Sequence, residues 1–326
     1  LLFTLSGYLS DKYNKKCILM YGAVSSSSLS IVMIIAYMLS NFYLAMFILV
    51  LLAVQSAIYS PAKFGLILDI YGKKNLSSGN SALQAISIIA ILFSIAGASY
   101  FFEGFYNSNH LELLSTKEEL LYAILPLTYY ILPVAFLEMF VSFLVLRRVN
   151  TYYKRDEKLY LDKGDLFKGK LLGKNIKVLS SNSIIFLSVI GLSVFWGISQ
   201  GMMAVFPSFA KEYLNVTDVF IINAVIGVSG IGIAIGSILY SRISKHYIEV
   251  GTIPLSALGM ATTIYTATIA QSPFLIGVSF FIFGIFGGMF VVPLNALIQF
   301  NAKKKILGTI LAGNNWFHSV CMFLML

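Results

Sequence analysis

The chain predicts an all-α polytopic membrane protein built as two related helix bundles, and three observations carry that prediction. Of its 326 residues 58% are hydrophobic and only 11% are charged, where soluble domains carry roughly 25% charged residues. So few charges cannot coat a globule of this size, which excludes a soluble enzyme, a nucleic-acid-binding domain and a disordered chain. The apolar residues also gather into runs of roughly 20, the length that crosses a bilayer as helix. Finally, features at the ends of these runs recur along the chain at a near-constant offset.

The runs place spans near 18–39, 42–60, 78–102, 120–146, 184–209, 219–241, 252–270 and 274–298. A partial span ends near Leu9 and another begins near Leu307. Barrel strands would instead alternate over ~10 residues. Pro61 and Gly65 are expected to end the span before them, and Pro293 to interrupt another, because proline removes a backbone donor and crowds the preceding turn.

The formal charge of +9 is read first as topology. Loops 10–17, 61–77, 147–183, 242–250 and 302–306 hold 21 of the 23 lysines and arginines. The alternate loops hold Lys117 and Lys211, together with Glu103, Glu112, Glu118, Glu119, Glu212 and Asp218. The excess of cations assigns the first set to the cytoplasm. Segment 147–183 is expected to be a cytoplasmic basic connector, and its cations would also attract anionic lipid by about 1 kcal/mol each near a membrane surface. Two cysteines, Cys17 and Cys321, exclude a disulfide framework and a Cys-rich metal site. No metal or cofactor is expected.

The repeat divides the chain. Gly7 and Gly236, each opening a basic span end, lie 229 positions apart, Pro61 and Pro293 lie 232 apart, and Gly79-Asn80 recurs as Gly313-Asn314 at 234. Lys73 follows Pro61 and Lys305 follows Pro293 by 12 positions, each one of a lysine pair, and each asparagine is followed by a polar residue four positions on, Gln84 and His318. An even number of spans separates the copies, so both keep one sidedness. The expected units are an N-terminal bundle 1–146, the connector 147–183 and a C-terminal bundle 184–326. Parallel repeats of this kind resemble the two six-helix halves of major facilitator transporters. That resemblance numbers the chain from the end of helix 2 to part of helix 11, and implies a segment lacking helix 1 and helix 12.

Two motifs sharpen the resemblance. Gly7-Tyr8-Leu9-Ser10-Asp11-Lys12-Tyr13-Asn14-Lys15-Lys16 is similar to the helix 2–3 loop signature of the superfamily, which runs glycine, any, leucine, any, aspartate, arginine, any, glycine, arginine, arginine. Glycine permits close helix approach, an aspartate can cap a helix N-terminus, and Lys12, Lys15 and Lys16 are expected to pair across the interface and hold one face shut. Asn14 stands at the family glycine and is expected to take a left-handed turn. The alternative is a basic topogenic loop with an incidental Asp11.

The second motif, Tyr59-Ser60-Pro61-Ala62-Lys63-Phe64-Gly65, together with Gly287–Gln299 and Leu311-Ala312-Gly313-Asn314-Asn315, resembles the bacterial lysophospholipid transporter family. The resemblance implies flipping of lysophospholipids, lysophosphatidylethanolamine especially, from the outer to the inner leaflet of the cytoplasmic membrane. There an acyltransferase, fused in some members, rebuilds the diacyl lipid. An amphipathic cargo needs neutral hydrogen-bonding groups inside apolar helices. Gln55, Tyr59, Lys63, Asn80, Gln84, Asn295, Gln299, Asn314 and His318 are the candidates for substrate binding. Gln55 with Tyr59, and Asn295 with Gln299, are four apart and share a helix face. Ordinary helix–helix bonding would explain the same amides. Glu138, well inside a span, costs about 2.5–3.5 kcal/mol to insert and should have a partner or a proton.

Other functions are weighed against the residues. A transporter of a small soluble metabolite or drug would share the fold and differ in the openness of its cavity to lipid. An acyltransferase within this segment would need an acidic residue five positions after a histidine. Those positions hold Ser115, Gly251 and Phe323. Gly227-x2-Gly230-x-Gly232 lies inside a span and is read as helix packing rather than phosphate binding. A channel would need a ring of charges or a filter segment, and neither is apparent.

Overall fold

The computed structural model describes residues 2–108, 117–148, 170–216, 219–244, 246–270 and 272–326. The connector over 149–169, Lys245, and the side chains of Glu103, Glu112, Lys117, Glu118, Glu119 and Asp218 lie outside the described residues. Among the described residues there is no strand. The helices are α1 (Leu2–Lys12), α2 (Lys15–Met38), α3 (Phe42–Tyr71), α4 (Leu76–Ser108), α5 (Lys117–Thr128), α6 (Ile131–Arg148), α7 (Lys170–Ser180), α8 (Ser183–Tyr213), α9 (Val219–Ile243), α10 (Thr252–Ile269), α11 (Pro273–Asn301) and α12 (Leu307–Leu324). Seven spans among the described residues are long and apolar enough to cross a membrane. The expected span at 252–270 is present as the 18-residue α10 but is not one of the seven. Its threonines dilute its apolar character, and their hydroxyls turn back onto its own carbonyls, as Thr263 does onto Gly259 at 3.0 Å.

Several expected boundaries are corrected. α3 does not stop at Pro61 but runs through Pro61 and Gly65 to Tyr71, 30 residues in all. Proline costs a bond, yet the turns beyond it are kept by packing, with Ala62 and Leu66 buried against Leu19 of α2, so the helix persists. It ends where Gly72 takes φ +65°, the left-handed conformation that suits a residue without Cβ. α11 likewise passes through Pro293 and ends at Asn301. The expected span 120–146 is two helices, broken at Tyr129-Tyr130, where the bonds tighten to Tyr130 N on Leu127 O and Leu132 N on Tyr129 O. Pro133 lacks the donor that would reach the Tyr129 carbonyl.

The repeat is visible in local structure: a lysine-led 3-10 turn, Lys73–Asn75 and Lys304–Ile306, directly precedes α4 and α12.

The chain forms two compact units. One comprises Leu1–Ile70 and Ser94–Leu172, the other Tyr71–Phe93 and Gly173–Leu326. In the first, α2 meets α6 along serines: buried Ser27 Oγ donates to the Ala135 carbonyl at 2.9 Å. Leu19, Ala62 and Leu66 form a small core between α2 and α3.

In the second unit, α9 and α11 approach through glycine. A Cβ placed on Gly232, Gly236, Gly284 or Gly288 would overlap backbone of the facing helix, including the carbonyls of Phe281, Ile285, Ser229 and Ile233. Gly232 and Gly236, like Gly284 and Gly288, are four apart, so each helix presents one small-residue stripe, which brings the backbones within van der Waals contact. Outside this interlock Phe206, Ile222, Val225, Ile276 and Phe280 form a core. Gly230 faces Leu92 of α4 at 3.1 Å from an added Cβ, which confirms packing for that glycine run.

Candidate functional site

The signature segment is helical through Lys12, and only Tyr13 and Asn14 intervene before α2. Asn14 departs from expectation. Its backbone is extended at φ −63°, ψ 121°, and its side chain accepts from Lys16 N as the N-cap of α2. An asparagine there supplies a capping oxygen that glycine lacks. The lysines find partners inside the first unit. Lys15 Nζ pairs with Asp69 Oδ2 at 2.9 Å, the two side chains 12% and 3% exposed. Lys16 Nζ donates to the Arg147 carbonyl at 3.3 Å, and Lys12 Nζ to Tyr8 Oη at 2.6 Å. Gly7 is buried in α1 and Asp11 is half-buried near its end.

Asp69 is a residue that sequence reasoning missed. Its signal was the continued helical register Pro61, Gly65, Asp69, legible only if α3 is allowed to pass its proline.

Gln55 and Tyr59 share one face of α3, as their spacing requires. Gln55 Nε2 donates to the Gly22 carbonyl of α2 at 2.9 Å. A Cβ on Gly22 would stand 2.7 Å from the Tyr59 ring, so glycine is what lets the tyrosine lie against α2. Both residues line a cavity of about 580 Å³ with Ser25, while Leu29, Leu51, Val54 and Ile58 supply apolar wall. Lys63 is one turn beyond Tyr59, within α3 rather than in a loop. Glu138, on α6, has a partner: Ser26 Oγ donates to its Oε2 at 3.4 Å. That is a weak bond on the α2–α6 seam.

In the second unit two candidates meet each other. Asn80 Nδ2 donates to Gln299 Oε1 at 3.0 Å, and Gln299 Nε2 donates to Asn80 Oδ1 at 2.9 Å. Asn80 is 3% exposed and Gln299 0%, so this reciprocal pair is wholly withdrawn from solvent. Such bonds average only about 0.6 kcal/mol in membrane proteins. One turn below, Ser77 Oγ donates to the Tyr247 carbonyl at 3.1 Å, and Ser244 Oγ bonds Ser77 Oγ at 2.9 Å and the Tyr247 carbonyl. Neither serine was a sequence candidate, because a serine near a span end carries no signal of its own. Gln84 is buried one turn beyond Asn80. Asn295 is buried one turn before Gln299 and turns its Nδ2 onto the Val291 carbonyl at 3.1 Å.

Asn314 and His318 lie one turn apart on α12. Among the described residues, Asn314 Oδ1 and His318 Nε2 are buried without a hydrogen-bond partner. A buried polar atom left so costs stability unless something else satisfies it.

Comparison with known proteins places this geometry. The first curated relatives are two lysophospholipid transporters named LplT. That of Photorhabdus laumondii is 27% identical over 285 residues, 85% of this chain and 63% of the relative. That of Yersinia enterocolitica is 27% identical over 283 residues, 85% of this chain and 62% of the relative. The chain thus spans under two thirds of the length of these relatives. Among solved structures the fold is similar to that of the Escherichia coli fucose:proton symporter FucP, with TM-score 0.74, 10% identity, and coverage of 99% of this chain and 79% of that one. It is equally similar to that of the human organic anion transporter MFSD10, with TM-score 0.74, 13% identity, and coverage of 98% and 72%. The model of the Major Facilitator Superfamily matches residues 1–325. With only helices and seven apolar spans among the described residues, and a match along essentially its whole length, the chain is a multi-pass integral membrane protein belonging to the Major Facilitator Superfamily.

Proposed function

We propose that the full-length protein moves lysophospholipids from the outer to the inner leaflet of a bacterial cytoplasmic membrane by alternating access. The observation that carries this reading is the cavity of the first unit. It joins the polar groups of Ser25, Gln55 and Tyr59 to an apolar wall of Leu29, Leu51, Val54 and Ile58, the two surfaces that a single-chain amphiphile presents. The likeness to proteins named lysophospholipid transporters supports this substrate class. In the second unit, the buried Asn314 Oδ1 and His318 Nε2 await a partner, and a headgroup supplies both donors and acceptors. Segments 10–17, 61–77, 147–183, 242–250 and 302–306 face the cytoplasm in this reading, and Asp11 with its lysines holds the cytoplasmic end during part of the cycle. An acyltransferase, fused or separate, consumes the product by re-acylation.

The test follows labelled lysophosphatidylethanolamine between leaflets in right-side-out and inverted vesicles carrying the full-length protein. Protein-dependent movement that falls at least tenfold in Asp11→Asn and in His318→Ala is the expected result. No movement by correctly inserted protein overturns the lipid substrate, and a soluble cargo becomes the reading to pursue.

A further inference from the structure

No residue of α7 is a candidate for cargo, yet its pattern is the most strongly two-sided in the chain. Its sequence, Lys-Leu-Leu-Gly-Lys-Asn-Ile-Lys-Val-Leu-Ser, holds three lysines and no acidic residue. The lysines, at 170, 174 and 177, recur at i, i+4 and i+7, so helical register puts them on one face. Leu172, Ile176 and Leu179 recur in the same way on the opposite face. Exposure follows that division. Gly173, Lys177 and Ser180 are exposed, Ile176 and Val178 are half-buried, and Leu179 is 0% exposed.

Two features fix α7 within the second unit. A Cβ on Gly313 of α12 would stand 2.6 Å from Leu179 Cδ1, so the leucine fills the notch that this glycine leaves. The join to α8 is only Ser181 and Asn182, and hydrogen bonds close it. Ser181 Oγ donates to the Val178 carbonyl at 2.7 Å, and Asn182 Oδ1 accepts from Ile184 N and Ile185 N. α8 is one of the seven apolar spans, so α7 is held at the mouth of a membrane helix. An amphipathic helix at a membrane surface ordinarily buries its apolar face among acyl chains. In α7 Leu179 of that face is committed to α12, and the side left outward carries the cations. The charge that complements it lies at headgroup level, and near a membrane surface each cation strengthens attraction to anionic lipid about fivefold. A soluble acidic protein is also negative, but the short join to α8 keeps α7 where anionic lipid is a permanent neighbour.

We propose that the lysine face of α7 docks the headgroups of anionic phospholipids in the leaflet where α8 begins, and that this docking steadies α7 on α12 through Leu179. The surface is separate from the cargo cavity and does not depend on what the protein carries. Gly313 directly precedes Asn314, so the headgroups bear on α12 beside a candidate site residue.

The experiment follows backbone hydrogen exchange of the full-length protein in nanodiscs, either of phosphatidylcholine alone or of phosphatidylcholine mixed with phosphatidylglycerol. Exchange over residues 170–180 should be at least tenfold slower with phosphatidylglycerol, while exchange over residues 273–301, in α11, is the same in both. High salt should abolish the difference in the unmodified protein, because exposed charges are screened. Lys170→Gln, Lys174→Gln and Lys177→Gln together should abolish it too, and Lys211→Gln, at the other end of α8, should leave it intact. Leu179→Ala should speed exchange over residues 170–180 in both lipids, since it empties the notch at Gly313. Equal exchange in the two lipids overturns the proposal, as does a difference that survives the triple variant or is lost in Lys211→Gln. Slowing by added polyglutamate but not by phosphatidylglycerol also overturns it, and gives the surface to an acidic protein instead.

Discussion

The two units solve one problem, holding apolar helices together inside lipid, with different chemistry. In the first unit α2 meets its neighbours through side-chain polarity: Ser27 on the Ala135 carbonyl, Gln55 on the Gly22 carbonyl, and Lys15 on Asp69. In the second, α9 and α11 meet through absence of side chain, with Gly232, Gly236, Gly284 and Gly288 letting backbone touch backbone. Lipid tails are as apolar as leucine, so burial of leucine drives little helix association, and close packing or hydrogen bonding must do so. The difference teaches that one membrane protein can join helices by shape at one contact and by polar groups at another.

The contrast can be broken from either side. The largest effect is expected from Gly236→Leu. Its Cβ alone would overlap the backbone at Ile285, so the interlock cannot close, and the cost should exceed the about 1–3 kcal/mol of ordinary overpacking. Loss of folded protein in detergent, read by size-exclusion profile and thermal unfolding, is the check, with Gly97→Leu as control, since nothing stands near a Cβ at that glycine.

Next comes the ion pair. Lys15→Ala leaves Asp69 buried without its cation and should cost about 3–5 kcal/mol, much of it recovered in Lys15→Ala with Asp69→Ala, as expected for a buried pair. If the double variant is as unstable as the single, the pair does not hold α3 to α2. Gly22→Ala should follow, since a methyl 2.7 Å from the Tyr59 ring forces that ring to move, at about 1–3 kcal/mol. The smallest effect is that of Ser27→Ala, about 0.6 kcal/mol on membrane averages. Denaturant titration resolves it only against the others, and a loss comparable to Lys15→Ala would mean that the α2–α6 seam rests on this one hydroxyl.

Much of the fold was legible in the sequence because lipid imposes long apolar runs, and the positions of α2, α4, α8, α9 and α11 follow those runs within a few residues. What was illegible has physical causes. Proline is expected to end a helix, but the turns beyond Pro61 are held by packing on α2 that no local pattern shows, so the last three turns of α3 and with them Asp69 stayed hidden. The break at Tyr129-Tyr130 left no mark in hydropathy, since both of its flanks are apolar. Among the candidate residues, the shared face of Gln55 and Tyr59 came directly from helical spacing. The meeting of Asn80 with Gln299, 219 positions apart, depends on how helices are set against one another, which no local pattern encodes.

The glycine interlock also has a genetic consequence. When two side chains collide, a second mutation that shrinks the opposing residue can relieve the first. At Gly236 and Gly284 the obstacle is the carbonyl of the facing helix, which every amino acid carries alike. A suppressor screen begun from Gly236→Leu should therefore return only revertants to glycine or changes far from the contact. Compensating pairs across α9 and α11 should be missing, and diverging homologues should hold these positions fixed or change the angle of the whole helix pair at once.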